Sequence, residues 1–163
     1  MHYAVASVGK GRDKLLAALA ARYQERLSRT ASVTLAHVPQ VEGEGRSPEE
    51  VRRLEARRLL DALARWDRAA SRASPLLVLD ERGEVLTSRQ LATWVEGMAA
   101  AGTPRLHFVI GGDEGLDASV RERADRVLAL SRLTFTHEMA KALLLEQLYR
   151  VETIRKGHPY HRE

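Results

Sequence analysis

Cysteine is absent from this chain of 163 residues. That absence excludes a disulfide framework, thiolate metal sites and a cysteine nucleophile, and it agrees with a reducing compartment. Long apolar runs are missing too: nothing approaches the roughly 18 consecutive apolar residues that a membrane span requires. The opening stretch, MHYAVASVGKG, lacks the charged-then-apolar pattern of a signal peptide. A cytoplasmic protein with no membrane association is therefore expected. Charge of one sign is also scarce, with 26 Lys and Arg against 22 Asp and Glu, a formal +4. So small an excess leans toward nucleic acid without establishing it. Lysine is the rarer cation. The arginine majority supplies bidentate, phosphate-matching donors, although a GC-rich genome or adaptation to heat would produce the same bias.

Several signatures of chemistry are missing as well. There is no GxGxxG fingerprint, no GxxxxGK[ST] phosphate loop, no GxSxG elbow and no HExxH. The histidines at 2, 37, 107, 137, 158 and 161 do not make a ligand set. His137 is remote in sequence from His158 and His161, which with Glu163 would form an incomplete, flexible group, so no metal is expected. His37 and His107 read as ordinary strand residues.

What is present is an alternation of short apolar runs and amphipathic stretches. Strands are expected over residues 3–8, 33–38, 75–80 and 106–110, each closed by glycine, proline or charge. Leu15, Leu16, Leu19, Tyr23 and Leu27 recur at helical spacing behind Asp13. Ser47-Pro48-Glu49-Glu50 reads as a capping box with proline at N1, opening a helix to about Ala69. Its wet side is expected to carry arginines interleaved with Glu49, Glu55, Asp61 and Asp67. Thr87 and Gln90 form a second capping box, and Gly102 ends that helix. The residues Glu81-Arg82-Gly83 read as a turn, 119–129 as a helix, and Thr136 as the cap of a largely apolar helix through Tyr149. The pattern argues a three-layer α/β domain spanning 1–163, with a mostly parallel sheet and helices on both faces.

Ligands of open parallel sheets bind at the carboxyl ends of the strands. Three such ends draw notice: Leu79-Asp80, Gly111-Gly112 and the segment 130–136. Glycines at 111, 112 and 115 allow backbone groups to approach a ligand closely. A side chain at Gly112 is thus expected to block a ligand without harm to the fold. Asp113 and Glu114 argue against a triphosphate there. The chain closes on His158-Pro159-Tyr160-His161-Arg162-Glu163, a dense set of titratable and anion-binding groups directly after a helix.

These blocks closely resemble the bacterial ribosomal large-subunit pseudouridine N3-methyltransferases, small members of the knotted SPOUT class of S-adenosylmethionine enzymes. The resemblance runs through Val8-Gly9-Lys10, residues 23–27, Leu79-Asp80 with Gly83, and Ile110-Gly111-Gly112 with Glu114-Gly115. It continues through Leu130-Ser131 with Thr134 and His137, Leu145-Glu146-Gln147-Leu148-Tyr149-Arg150, and 157–163. Three positions depart from the family's habit: Thr136 where proline is common, Lys141 where arginine is frequent, and Asp113 in place of alanine or proline.

The resemblance implies a C-terminal trefoil knot, a homodimer, and S-adenosylmethionine bound in a bent form. The aligned cofactor residues are Leu79, Gly111, Gly112, Leu130, Ser131, Arg132, Leu133, Thr134 and Phe135. It further implies a pseudouridine of 23S ribosomal RNA in the large subunit or assembled ribosome as substrate, with neither DNA nor membrane as partner. Methylating an imide nitrogen requires handling the N3 proton. His161 is the first candidate base and Arg162 the candidate for stabilising negative charge or gripping phosphate. Tyr160 is placed to stack on or hydrogen-bond the base, and His137 is the second candidate base or a local orienter. Two other readings remain open at this level: a non-catalytic ribosome-binding module of the same fold, and a knotted methyltransferase acting on transfer RNA.

Overall fold

The computed structural model describes residues 1–68 and 73–161. Its strands are β1 (His2–Val8), β2 (Ser32–Val38), β3 (Leu76–Val85), β4 (Arg105–Ile110) and β5 (Arg126–Ala129). They pair in parallel in the order β2-β1-β4-β3-β5. The helices are α1 (Lys14–Ser28), α2 (Pro48–Asp67), α3 (Ser88–Ala100), α4 (Ala118–Glu122) and α5 (His137–Arg155). None is long and apolar enough to cross a membrane among the described residues.

Side chains of a strand alternate between faces, and the two faces bury different layers. Tyr3, Val5, Leu77, Leu79, Leu106, Phe108 and Ile110 pack with Leu27 of α1, Val95 of α3 and Leu144, Leu145 and Leu148 of α5. Ala6, Val8, Leu76, Val78 and Val109 pack with Ala56, Leu59, Ala62 and Leu63 of α2 and Val120 of α4. Helices thus cover both faces, as the alternation of apolar runs predicted. Local signals set the helix starts: both capping boxes are closed, Ser47 with Glu50 and Thr87 with Gln90. Asp13 caps α1 and Thr136 caps α5. Ala69, the expected end of the second helix, lies outside the described residues; α2 itself ends at Asp67.

Two expectations fail. The helix expected over 119–129 stops at Glu122, and Arg126–Ala129 is the edge strand β5. The turn expected at Glu81-Arg82-Gly83 is instead part of β3, which shifts register and pairs again with β5 through Glu84 and Leu128 and through Val85 and Ala129. Gly83 permits the approach: an ideal Cβ there would stand 2.7 Å from backbone atoms of Val127 and Leu128.

The last helix is held to the first strand near one end and to the loop after that strand near the other. Glu152, almost fully buried, accepts a hydrogen bond from the Tyr3 hydroxyl at 2.6 Å and pairs with Arg155 at 2.6 Å. Burial, then the neighbouring carboxylate, pushes the Tyr3 hydroxyl far above its ordinary range, so it stays a donor. One helix length away, the Glu138 carboxylate accepts the backbone N–H groups of Arg12 at 2.7 Å and Asp13 at 3.0 Å. Those two bonds hold Glu138 below the ordinary carboxylate range. Removing one member of a buried charged set strands its partners, so Glu152→Ala should cost about 3 kcal/mol in urea unfolding. Glu152→Gln, which keeps an acceptor for Tyr3, should lose distinctly less.

Candidate active site

All five strands point the same way, so their carboxyl ends share one edge, and the loops there enclose a cavity of about 580 Å³. Its walls come from the middle of β3, the end of β4, the loop 111–116, the segment leaving β5, and the first turn of α5. Leu79, Gly111, Gly112, Leu130, Ser131, Leu133, Thr134 and Phe135 all line it. Arg132, expected with them, does not. Arg52 of α2 and Arg121 of α4 complete the wall, and neither was anticipated.

The loop after β4 is a tight turn: Gly115 donates its N–H to the Gly112 carbonyl at 3.0 Å and adopts φ +80°. Gly111 and Gly112 are glycine for a reason other than the expected one. A Cβ on Gly111 would stand 2.8 Å from Leu116 Cγ, and one on Gly112 would stand 2.8 Å from Glu55 Oε2 and 3.0 Å from Val8 Cγ1. A side chain at Gly112 would therefore strike the core beneath the loop rather than a ligand above it. The glycines allow the loop to lie down on α2 and β1, leaving its outer side to the cavity.

Beneath the loop lies Glu55, assigned from sequence to the wet side of its helix but only 2 % exposed. It shares the apolar stripe of Val51, Leu59 and Leu63, and its spacing of four from Val51 and from Leu59 was the missed signal. Oε1 accepts the Val41 N–H at 3.0 Å, while Oε2 has no partner among the described residues. Burial pushes the Glu55 carboxyl above its ordinary range, and Asp113 and Glu114 push the same way against Val41 and Arg58.

The remaining charges in the wall are organised. Burial works to raise Asp80, but the hydrogen bonds and charge of Arg82, with Arg121, outweigh it and hold the carboxyl below its ordinary range. Arg121 also donates to the Leu116 carbonyl. Thr134 donates to Glu81 at 2.7 Å, tying the segment after β5 to β3. Ser131 Oγ accepts the Leu133 N–H at 3.0 Å. The residues present fit S-adenosylmethionine. Leu79, Ile110, Leu116, Leu130 and Phe135 offer an apolar slot for an adenine, Glu81 and Asp113 offset positive charge, and Arg52 can meet a carboxylate.

The expected catalytic residues are not gathered in one place. His137 borders the cavity, with Nδ1 2.9 Å from Asp113 Oδ1. Tyr160 and His161 do not line it. Tyr160 donates to Glu146 at 3.0 Å, meets the Tyr149 ring edge-on at 4.8 Å, and lies under the Arg150 guanidinium at 4.7 Å. Burial, with hydrogen bonds to Tyr23 and Glu146, pushes its hydroxyl well above the ordinary range. His161 Nδ1 lies 3.4 Å from Arg150. Arg162, the expected anion stabiliser, lies outside the described residues, as does Glu163. The block 145–150 thus serves as the bed on which the tail rests. A second cavity of about 670 Å³ opens on the far side of His137 and Asp113, between the loop 9–13, the end of β2 and the start of α5. Near it, Lys141 donates to the Lys10 carbonyl at 3.3 Å, and burial lowers its ammonium below the ordinary range.

Comparison with known proteins agrees with this geometry. Residues 1–161 match the family described as "Predicted SPOUT methyltransferase". A ribosomal RNA large subunit methyltransferase H of Geobacter metallireducens is 40% identical over 154 residues, 94% of each chain. The protein of that name from Desulfovibrio desulfuricans is 42% identical over 156 residues, 95% of this chain and 94% of its own. Among solved structures, a probable methylase family protein from Haemophilus influenzae Rd KW20 superposes with a TM-score of 0.55 at 13% identity, over 99% of this chain and 70% of that one. That last likeness is one of fold alone. The chain belongs to the SPOUT methyltransferase family, the α/β class whose C-terminal stretch forms a trefoil knot.

Glu55 gives the site a pH signature. A raised carboxyl pKa means that the folded state holds this proton more tightly than the unfolded chain does. Its contribution to stability therefore falls as pH rises from the unfolded value, about 4.3, through the folded one, and then levels off. Glu55→Gln keeps an acceptor for Val41 and removes that fall. Urea midpoints measured from pH 4 upward should decline less for the variant than for the parent; parallel declines would show that Glu55 ionises freely.

Proposed function

We propose that this chain transfers the methyl group of S-adenosylmethionine to N3 of a pseudouridine in 23S ribosomal RNA, acting as a homodimer on the large subunit or assembled ribosome in the cytoplasm. The observation that carries this reading is the cavity at the carboxyl edge of the sheet, lined by residues 79–82 of β3, the loop after β4 and the segment after β5. It occurs in a chain 40% identical over 94% of its length to a ribosomal RNA large subunit methyltransferase.

S-adenosylmethionine supplies a methyl group already activated on a sulfonium. The protein's tasks are then placement, exclusion of water and management of the N3 proton. Leu79, Ile110, Leu130 and Phe135 keep the cavity wall dry, while the backbone of the 111–116 turn and the segment after β5 shape it. Asp80, held ionised by Arg82 and Arg121, fixes those two guanidiniums in the wall. His137 is the imidazole at the cavity's border.

The tail supports the dimer reading. In its own chain it rests on Glu146, Tyr149 and Arg150, away from the cavity wall. For the tail to act at this cavity, a second chain would have to supply it. Leu15 and Leu133 are 82% and 72% exposed, apolar surface that a partner would cover.

The test is transfer of labelled methyl groups to ribosomes, to transfer RNA and to free pseudouridine in parallel. Label should enter N3 of a pseudouridine in 23S RNA, and the free nucleoside should react very poorly because it offers no remote contacts. Label in transfer RNA alone would overturn the assignment. Deleting residues 160–163 should abolish transfer while S-adenosylmethionine affinity stays within about twofold, since the deletion removes little apolar burial. Full single-turnover activity of the truncated protein would move the chemistry entirely to His137.

A further inference from the structure

Between the two cavities stands a pair of side chains from separate elements. Asp113 belongs to the loop after β4 and His137 opens α5; both line both cavities. Asp113 Oδ1 lies 2.9 Å from His137 Nδ1, and Oδ2 accepts Gln40 Nε2 at 3.0 Å. Arg58 of α2 fixes the strand end that carries Gln40, donating to the carbonyls of Pro39 at 2.6 Å and Gln40 at 3.2 Å. The carboxylate is thus gripped from one side and presented to the imidazole on the other.

A carboxylate only accepts hydrogen bonds, so Nδ1 of His137 carries the hydrogen and Nε2 of the neutral ring keeps its lone pair. No hydrogen bond from a described residue reaches Nε2. It faces Gly9, where an ideal Cβ would stand 3.8 Å away, and Gly9 belongs to the wall of the second cavity. That cavity also carries Lys10 and Arg12, whose side-chain cations make no hydrogen bond or ion pair among the described residues. An acceptor at one end and cations at the other match a nucleotide, with its imide N–H and its phosphates.

We propose that the second cavity seats the nucleotide to be methylated, with Lys10 and Arg12 against its phosphates, and that Asp113 holds His137 so that Nε2 accepts the N3 proton. The proposal rests on the methyl-transfer reading above and assigns to Asp113 a positioning role. The balance of the step is simple. The N3–H proton passes to Nε2, the N3 electron pair forms the bond to the methyl carbon, and the pair of the broken carbon–sulfur bond remains on sulfur, which becomes neutral. His137 then returns its proton to solvent.

The charges around His137 come from several elements. Asp113 and Glu114 lie on the loop after β4, and Glu55 lies beneath that loop. Lys10, Arg12 and Asp13 lie on the loop after β1, and His37 near the end of β2. Glu138 and Lys141 belong to α5 itself. Glu138 is committed to the Arg12 and Asp13 N–H groups. Lys141 is committed to the Lys10 carbonyl. Asp113 is the carboxylate in direct contact with the ring.

Single-turnover transfer to ribosomes at saturating S-adenosylmethionine, from pH 6 to 9, tests the proposal. His137→Gln should slow transfer on the order of 10²-fold near neutrality, with the deficit shrinking as pH rises and the substrate N3 ionises unaided. Asp113→Ala should slow it about tenfold with the same recovery, and Asp113→Asn, which keeps an acceptor for Nδ1–H, should restore part of the rate. Histidine 15N resonances should show Nδ1–H in the parent and a mixture of tautomers in Asp113→Ala. Lys10→Ala combined with Arg12→Ala should raise the half-saturating ribosome concentration while cofactor affinity is unchanged. A parent protein active on ribosomes with an Asp113→Ala variant equally fast at every pH would overturn the positioning role and leave the function standing. A deficit independent of pH would likewise overturn it, and unchanged ribosome saturation in the Lys10/Arg12 double variant would overturn the seat. A parent inactive on ribosomes would instead sink the function itself.

Discussion

The site depends on where α5 is pinned. A helix lying over one face of a sheet can slide along its axis unless polar contacts fix it, because apolar packing has little direction. Here a carboxylate near each end does the fixing. Glu152 meets Tyr3 at the start of β1, and Glu138 meets the N–H groups of Arg12 and Asp13 just beyond its end. The distance between the anchors is set by the helix itself, so Thr136 and His137 fall at the carboxyl edge of the sheet. The segment leaving β5 must then cross the ends of β3 and β4 to reach that point, and in crossing it closes the cavity.

The cavity floor shows a division of labour between small and charged residues. Gly83, Gly111 and Gly112 let backbone segments approach to distances that a Cβ would forbid. Asp80, Glu81 and Asp113 are then each given a partner: Arg82 and Arg121, Thr134, and the pair Gln40 and His137. Glu55 is the exception, a carboxyl with one oxygen unpaired beneath the glycine turn. Protonation is the inexpensive answer for such a group, and its raised pKa expresses that.

Much of this was legible in the residues because the signals were local. Both capping boxes, the Thr136 cap and the apolar runs of β1 and β4 concern residues within a few positions of one another. What was illegible concerns pairing across the chain. Arg126–Ala129 follows a helical stretch rich in charge, and only its neighbour β3 makes it a strand. Gly83 read as a turn because the chain that lies against it is more than forty residues away in sequence. Glu55 read as solvated because its acidity outweighed its place in the apolar stripe. At the site, the residues that the family resemblance pointed to line the cavity, Arg132 excepted. The meeting of Asp113 with His137 joins a loop to the start of a helix, and their separation in sequence offered no pattern to read.

The pinning of α5 also bears on the order in which the molecule can be completed. Tyr3 finds its acceptor 149 residues later, and the N–H groups of Arg12 and Asp13 find theirs 126 and 125 residues later. Contacts so distant close large loops and form late. During synthesis from the N-terminus, the first strand therefore emerges with its main polar anchors still unmade. The polar anchors of the strand translated first are thus among the last contacts to be made, and the cofactor cavity can exist only once the final helix has been drawn into place.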